Sequence, residues 1–117
     1  MRNMSFMLTR QQIIDGTKTV TRRLGWKFLK PGDKIQACEK CQGLGKGGKI
    51  KKLRVIKVIS VEREYVDDII WRYDDKETAR EGFPEMDAYE FRDMFCKEMK
   101  CQWTHPVTRI EFEYVED

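Results

Sequence analysis

Ile14-Asp15-Gly16-Thr17-Lys18-Thr19-Val20-Thr21-Arg22-Arg23 is the stretch whose reading decides the fold. Upstream of it, Thr9-Arg10-Gln11-Gln12 has the form of a capping box, with Thr9 as N-cap and Gln12 reaching back, so a short helix is expected to begin there. Gly16 suits the left-handed position that ends such a helix. The run Lys18 to Arg23 is dense in β-branched residues and reads as a strand. On an ideal strand Lys18 opposes both Thr21 and Arg23, because the separations are odd. A site that uses all three therefore requires a bulge or twist where the strand begins.

Working outward, Ser5 to Leu8 is short and mostly apolar, and Pro31-Gly32-Asp33 is a turn signal. Ile35 and Ala37 alternate with polar neighbours, predicting a half-buried strand over Lys34 to Cys38. Four glycines in the six positions Gly43 to Gly48 mark a loop, and Lys51 to Val61 resumes strand character. From Val66 the texture turns helical: Ile69, Ile70 and Tyr73 fall at helical spacing, and Lys76 to Glu81 is rich in helix formers. Asp87-Ala88-Tyr89-Glu90 is a second capping box. Its helix carries Ala88, Phe91, Met94, Phe95 and Met99 on one face, which demands a packing partner. After His105-Pro106, the apolar Ile110, Phe112 and Tyr114 alternate with Glu111 and Glu113 as a terminal strand. About five strands and two or three short helices in one α+β unit, residues 1–117, predict a small β-barrel that removes exposed edges, with the helices packed on it.

A chain of 117 residues has room for one modest core. Its 40% apolar and 37% charged residues place it among folded chains and outside the disordered class. The net charge of +3 conceals a split: residues 1–57 carry 15 Lys/Arg and 3 Asp/Glu, whereas residues 58–117 carry 8 and 17. The first part is thus +12 and the second −9, which predicts an anionic partner for the basic part or pairing between the two. No window approaches the roughly 20 apolar residues of a membrane span, and Met1 to Arg10 has no signal-peptide core, so a cytoplasmic protein is expected. Its cysteines are accordingly read as thiols or metal ligands, not disulfides.

The order of a helix, then G-x-K-T-x-T-x-R at Gly16 to Arg23, then the P-G-D turn into a strand, resembles the ASCH domain family, whose fold is a PUA-like β-barrel. The resemblance extends to Ala79-Arg80-Glu81-Gly82-Phe83 and to the terminal strand Val107 to Tyr114. It implies binding of RNA, or of a nucleobase or nucleoside, in a basic cleft lined by Lys18, Arg23 and Glu81, with Arg23, Arg22 and Thr19 as candidate substrate-binding residues. Within that family the small bacterial N4-acetylcytidine amidohydrolases use a lysine, a threonine and a glutamate. By the resemblance these match Lys18, Thr21 and Glu81, and the family's arginine matches Arg23. A lysine desolvated in a cleft can act as a base near neutral pH and activate Thr21 for attack on an amide carbonyl. Glu81 would hold the lysine or pass a proton to the leaving amine, and Arg23 would steady an oxyanion. Departures from the family pattern are a large basic loop at 40–52, the cysteine pairs and the length beyond Lys97. Two functions stay open at this stage, a nucleic-acid or nucleoside binding module and an amidohydrolase. Ribonuclease activity, claimed among ASCH relatives, is a third, although a single histidine leaves no His pair for acid and base roles.

The stretch Lys40 to Lys57 contains no acid, and Lys40, Lys46, Lys49, Lys51 and Lys52 are candidate phosphate contacts. Gly45-Lys46-Gly47-Gly48-Lys49 is not a phosphate-binding P-loop, since Ile50 stands where the hydroxyl residue is required. Trp26, Phe28 and Trp103 are read as core residues before stacking platforms. Cys38-x-x-Cys41 has the spacing of half a zinc knuckle, but the other half, Cys96 and Cys101 or His105, is too widely spaced. No metal or other cofactor is expected, and Cys38 and Cys96 are read as small buried hydrophobes.

Overall fold

The structure, a computed structural model, describes residues 1–45 and 47–115. In chain order it contains β1 (Arg2–Ser5), α1 (Arg10–Asp15), β2 (Val20–Arg23), β3 (Lys34–Cys38), β4 (Lys52–Tyr65), α2 (Asp68–Trp71), α3 (Glu77–Arg80), α4 (Ala88–Met99) and β5 (Pro106–Tyr114). The strands form one sheet in the order β1-β3-β4-β5-β2. β1 runs parallel to β3, and the other neighbours are antiparallel. The sheet curls into a half-barrel of α+β type carrying four short helices, so the expected barrel is present in open form. Its edge strands β1 and β2 are not hydrogen-bonded to each other, although Phe6, just past β1, lies 4.6 Å from the Arg23 guanidinium at the end of β2.

Alternation along the strands builds the core inside the curl. Met4, Ile35, Ala37, Ile56, Val58, Ile110 and Phe112 point inward and pack with Phe6, Ile13 and Leu29. The Phe112 ring meets Phe6 edge-on at 6.2 Å and Tyr114 at 5.8 Å. Each such buried side chain contributes roughly 1.5–3 kcal/mol of transfer free energy. A register shift in β4 between Val58 and Ser60 turns Ile59 out to solvent. A second, smaller core of Val66, Ile69, Phe91, Phe95 and Val107 lies beneath α2 and α4, so one end of the sheet is covered on both faces.

The Asp87 capping box forms with both of its bonds, Glu90 N–H to Asp87 at 2.8 Å and Asp87 N–H to Glu90 at 3.1 Å. The one at Thr9 does not form: its side chain makes no capping bond, and Thr9 lies buried against the turn at Gly82. The short strand β1 was not expected; it acquires its pairing from β3, not from its own composition. No helix among the described residues is long and apolar enough to cross a membrane.

Candidate functional site

Two tight turns deliver the site residues. Gly16, at φ +78°, ends α1 in the left-handed region, and the N–H groups of Thr17 and Lys18 then both donate to the Gln12 carbonyl. Gly82, at φ +101°, reverses the chain directly after Glu81, and a Cβ there would stand 3.0 Å from Thr9 Cγ2. Between these turns the Lys18-Thr19 segment is clamped from two sides. Thr19 N–H donates to the Arg80 carbonyl at 2.8 Å, and Phe112 N–H donates to the Thr19 carbonyl at 2.9 Å. The Tyr114 hydroxyl donates to the Lys18 carbonyl at 2.6 Å. Lys18 therefore precedes β2 instead of lying on it. The odd separation from Thr21 and Arg23 imposes no opposition of faces.

Lys18 Nζ donates to the Glu81 carboxylate at 2.9 Å and to the Glu81 main-chain carbonyl at 2.5 Å. Both residues are only 3% exposed, so the pair lies out of water. Burial, with help from Arg23 and Arg22, outweighs the attraction of Glu81 and holds Lys18 below the ordinary lysine pKa. The other Glu81 oxygen accepts from Arg22 Nη1 at 2.9 Å.

Arg22 is the hub of a buried charge cluster. It donates through Nε to Glu64 at 3.1 Å and through Nη2 to Glu77 at 2.6 Å. Burial works against its charge, but Glu81, Glu64 and Glu77 overcome this and raise its pKa. Arg22 is directly cross-strand from Arg109, a like-charge pair that would destabilise the sheet by itself. Glu77 relieves it by accepting from Arg109 Nε at 2.7 Å and Nη2 at 3.1 Å as well as from Arg22. Burial alone would push the Glu77 carboxyl up, yet Arg109 and Arg22 together bring it below its usual value. The Tyr73 hydroxyl donates to Glu64. Buried Lys18, Arg22 and Arg109 thus balance buried Glu64, Glu77 and Glu81, and the partly exposed Arg80 adds a further bond to Glu77 at 3.1 Å.

Arg23 is the cation outside this balance. Its Nε donates to Thr21 Oγ1 at 3.0 Å and its guanidinium rests on Phe6, and no described carboxylate forms an ion pair with it. Burial lowers its pKa to about 10, leaving it charged at neutral pH. Lys18, Thr21, Arg22, Arg23 and Glu81 all line a cavity of about 260 Å³ at the gap between the sheet edges. The rest of its lining is mostly apolar, with Met7, Phe83, Phe91, Met94, Phe95 and Met99, and includes Glu98. No hydrogen bond joins Lys18 to Thr21 among the described residues.

The other expected site residues fall elsewhere. Thr19 serves through its backbone and does not line the cavity. Arg22, expected among the substrate ligands, has its guanidinium engaged by three glutamates. Lys40, Lys49, Lys51 and Lys52 are exposed around the loop between β3 and β4, and Lys46 lies outside the described residues. The sequence does not single out Glu64, Glu77 and Arg109, and it reads Tyr73 only as part of a helical pattern. Glu64 and Arg109 lie on the sheet face opposite Ile110, where alternation reads a charged residue as solvated, and nothing in the sequence points to Glu77 or Tyr73 as a site residue. Among the described residues no three His, Cys, Asp or Glu side chains converge as metal ligands. Cys38 is fully buried, whereas Cys96 is half-buried with its sulfur 4.0 Å from that of Cys101.

No protein-family model and no curated protein matches the chain. Solved structures do. The ASCH domain from Lactobacillus crispatus JV V101 superposes with a TM-score of 0.61 at 16% identity, over 97% of this chain and 78% of that one. A mutant of the ZmASCH protein from Zymomonas mobilis gives 0.60 at 16% identity, over 95% and 67%. The hypothetical protein PH0355, matched over 97% of this chain and 96% of its own, gives 0.59 at 19% identity. The curled five-stranded sheet with its short helices is therefore the PUA-like fold of the ASCH domain structures.

Proposed function

We propose that the cavity binds a nucleobase bearing an acylated exocyclic amine and hydrolyses the amide, as an N4-acetylcytidine-type amidohydrolase. The observation that carries this reading is the Lys18–Glu81 pair, almost wholly buried yet lining an open cavity beside a threonine hydroxyl. A groove built only to hold phosphates presents solvated cations. Here the lysine is desolvated and shifted toward its neutral form, which suits a base and not an anion ligand. The cavity volume lies below the range usual for drug-sized ligands, so it fits a base and a small acyl group better than a whole nucleotide.

In the proposed reaction, neutral Lys18 takes the proton of the Thr21 hydroxyl as Oγ1 attacks the amide carbon. Lys18 is held by Glu81, so its amine must swing toward Thr21 once substrate fills the cavity. The tetrahedral oxyanion forms next to Arg23, which makes no ion pair with a carboxylate among the described residues. The C–N bond breaks, the amine leaves with the proton carried by Lys18, and a threonyl ester remains. Water attacks this ester with Lys18 again as base, releasing the carboxylic acid and restoring Thr21. Met94, Phe95 and Phe83 pack the acyl group and base, keeping bulk water away.

Incubation with N4-acetylcytidine, with cytidine and acetate followed by chromatography, tests the reading. Turnover is expected from the wild type. Lys18→Ala and Glu81→Gln are each expected to lose about 100-fold or more. Absence of turnover at high enzyme concentration overturns the proposal.

A further inference from the structure

The four cysteines are free thiols in two pairs, Cys38 with Cys41 and Cys96 with Cys101, and the two settings differ. Cys38 is fully buried in β3 and turns its S–H to the Gln36 carbonyl at 3.5 Å. Cys96 and Cys101 face one another across the C-terminal end of α4, the Cys101 S–H donating to the Cys96 sulfur at 4.0 Å. Their main chains are already joined, because the Cys101 N–H donates to the Cys96 carbonyl at 3.1 Å. A disulfide holds its sulfurs about 2.05 Å apart, so rotation about the two Cα–Cβ bonds has only about 2 Å to close. Both residues are half-buried, and both line a surface hollow of about 450 Å³ with Gln102, Trp103 and Thr104. A reagent in solvent reaches this pair, whereas Cys38 is shielded from it.

The turn that these thiols span is a weak point in the cavity wall. Lys100 ends α4 at φ +53°, in the left-handed region where glycine is favoured. Phe95, Glu98 and Met99, on either side of Cys96, line the cavity, and Met99 also lines a second hollow shared with Cys101. Beyond Cys101 the chain is pinned: the Arg92 guanidinium lies 3.4 Å from the centre of the Trp103 ring, and the Trp103 carbonyl accepts the Asp67 N–H at 3.0 Å. A covalent bond from Cys96 to Cys101 therefore ties the last turn of α4 to a fixed segment. We infer that Cys96 and Cys101 form a redox-active dithiol, oxidised to a disulfide by a small-molecule disulfide, and that this bond locks the α4 end of the cavity wall. Burial, the Cys101 thiol and Asp93 push the Cys96 thiol up to about 11, which leaves Cys101 to react first. The Cys101 thiolate attacks one sulfur of the small disulfide, whose S–S bond breaks and releases one thiol. Cys96 then gives up its proton and attacks the Cys101 sulfur, releasing the second thiol. Two protein thiols are oxidised, one small disulfide is reduced to two thiols, and the protons given up by the cysteines pass through solvent to the leaving sulfurs. The site uses none of the residues assigned to hydrolysis.

The test equilibrates the full chain at low protein concentration with glutathione and glutathione disulfide at graded ratios, followed by acid quenching, alkylation and peptide mass spectrometry. A Cys96–Cys101 disulfide is expected, with Cys38 alkylated only after unfolding and dithiothreitol restoring both thiols. Cys96→Ser should stop at the glutathione adduct on Cys101, and Cys101→Ser should react at Cys96 about tenfold more slowly or less. In hydrogen exchange, amides 97–101 should exchange about tenfold or more slowly in the oxidised protein than in the reduced one, with β3 unchanged. Cys96 and Cys101 both free at the most oxidising ratio, a lasting glutathione adduct on wild-type Cys101, a Cys38–Cys41 disulfide formed in preference, or disulfides only between chains each overturns the inference. So does a Cys101→Ser chain as reactive as the wild type, or a Cys96–Cys101 disulfide that leaves exchange at the end of α4 unaltered. No substrate enters these measurements, so their outcome stands apart from turnover of N4-acetylcytidine.

Discussion

Replacing Arg22 with methionine keeps much of its volume and removes the hub of the buried cluster. The outcome follows from what each glutamate retains. Glu77 keeps both bonds to Arg109, at 2.7 and 3.1 Å, and Glu81 keeps Lys18 at 2.9 Å. Glu64 keeps only the Tyr73 hydroxyl and a distant Arg72 at 3.9 Å, with its side chain 0% exposed. One buried carboxylate is thus left without a close cation, a defect worth about 3–5 kcal/mol. Against a typical domain stability of about 5–15 kcal/mol this moves a urea midpoint by a large fraction of its value. The measurement is urea unfolding at pH 7 by circular dichroism on wild type, Arg22→Met, Glu64→Gln and the double variant. Because the cost is assigned to Glu64, adding Glu64→Gln to Arg22→Met should restore about 1–2 kcal/mol. Should Arg22→Met not fold, Arg22→Lys, which retains a charge for one partner, takes its place in the cycle. A loss of less than about 0.5 kcal/mol, or a double variant no more stable than the single, would refute this reasoning.

Three further outcomes are expected. Since Lys18 acts in its neutral form, kcat/KM should climb with pH along a limb centred below the ordinary lysine value of 10.5, and a limb at or above that value contradicts the lowered pKa. The same shift has a stability sign: between the folded value and 10.5 the unfolded chain holds the extra proton, so stability rises with pH there, a gain that Lys18→Met should lack in alkaline unfolding curves. Gly82→Ala sets a side chain at φ +101° with Cβ 3.0 Å from Thr9 Cγ2, and should cost more than about 1 kcal/mol in chemical unfolding while lowering turnover through displacement of Glu81. Asp87→Ala removes the capping bond to Glu90 and should cost about 1 kcal/mol, read as a lower melting temperature with nucleoside turnover retained.

Where a local rule decides the structure, the sequence reading and the fold agree. Pro31-Gly32-Asp33 and the alternation after it delimit β3 at Lys34–Cys38, and Asp87 with Glu90 starts α4. The reading falls short where tertiary pairing decides. β4 runs on to Tyr65, past the expected end at Val61, because Glu62-Arg63-Glu64 stays paired with β5 down to Pro106. Those residues look like a solvated strand end until Arg22 is seen to bury Glu64. Lys18 and Glu81, 63 residues apart, are joined in the sequence only by the family resemblance, since no spacing rule connects them. The cluster that supports them joins Arg22 to Glu64 and Glu77, 42 and 55 residues away, and no spacing rule connects these either.

The cross-strand arginines bridged by Glu77 tie the lifetime of a helix to that of a strand. α3 has only four residues, too few to persist on its own, and β2 is an equally short edge strand. Each is held by the charges of the other, with the Thr19 N–H to Arg80 carbonyl bond as a stitch between them. Their amide protons should therefore exchange with solvent as one cooperative unit, slower than either element's length suggests. A ligand that grips Lys18 would lengthen the protection of both together, so amide exchange at α3 becomes a remote reporter of occupancy in the cavity.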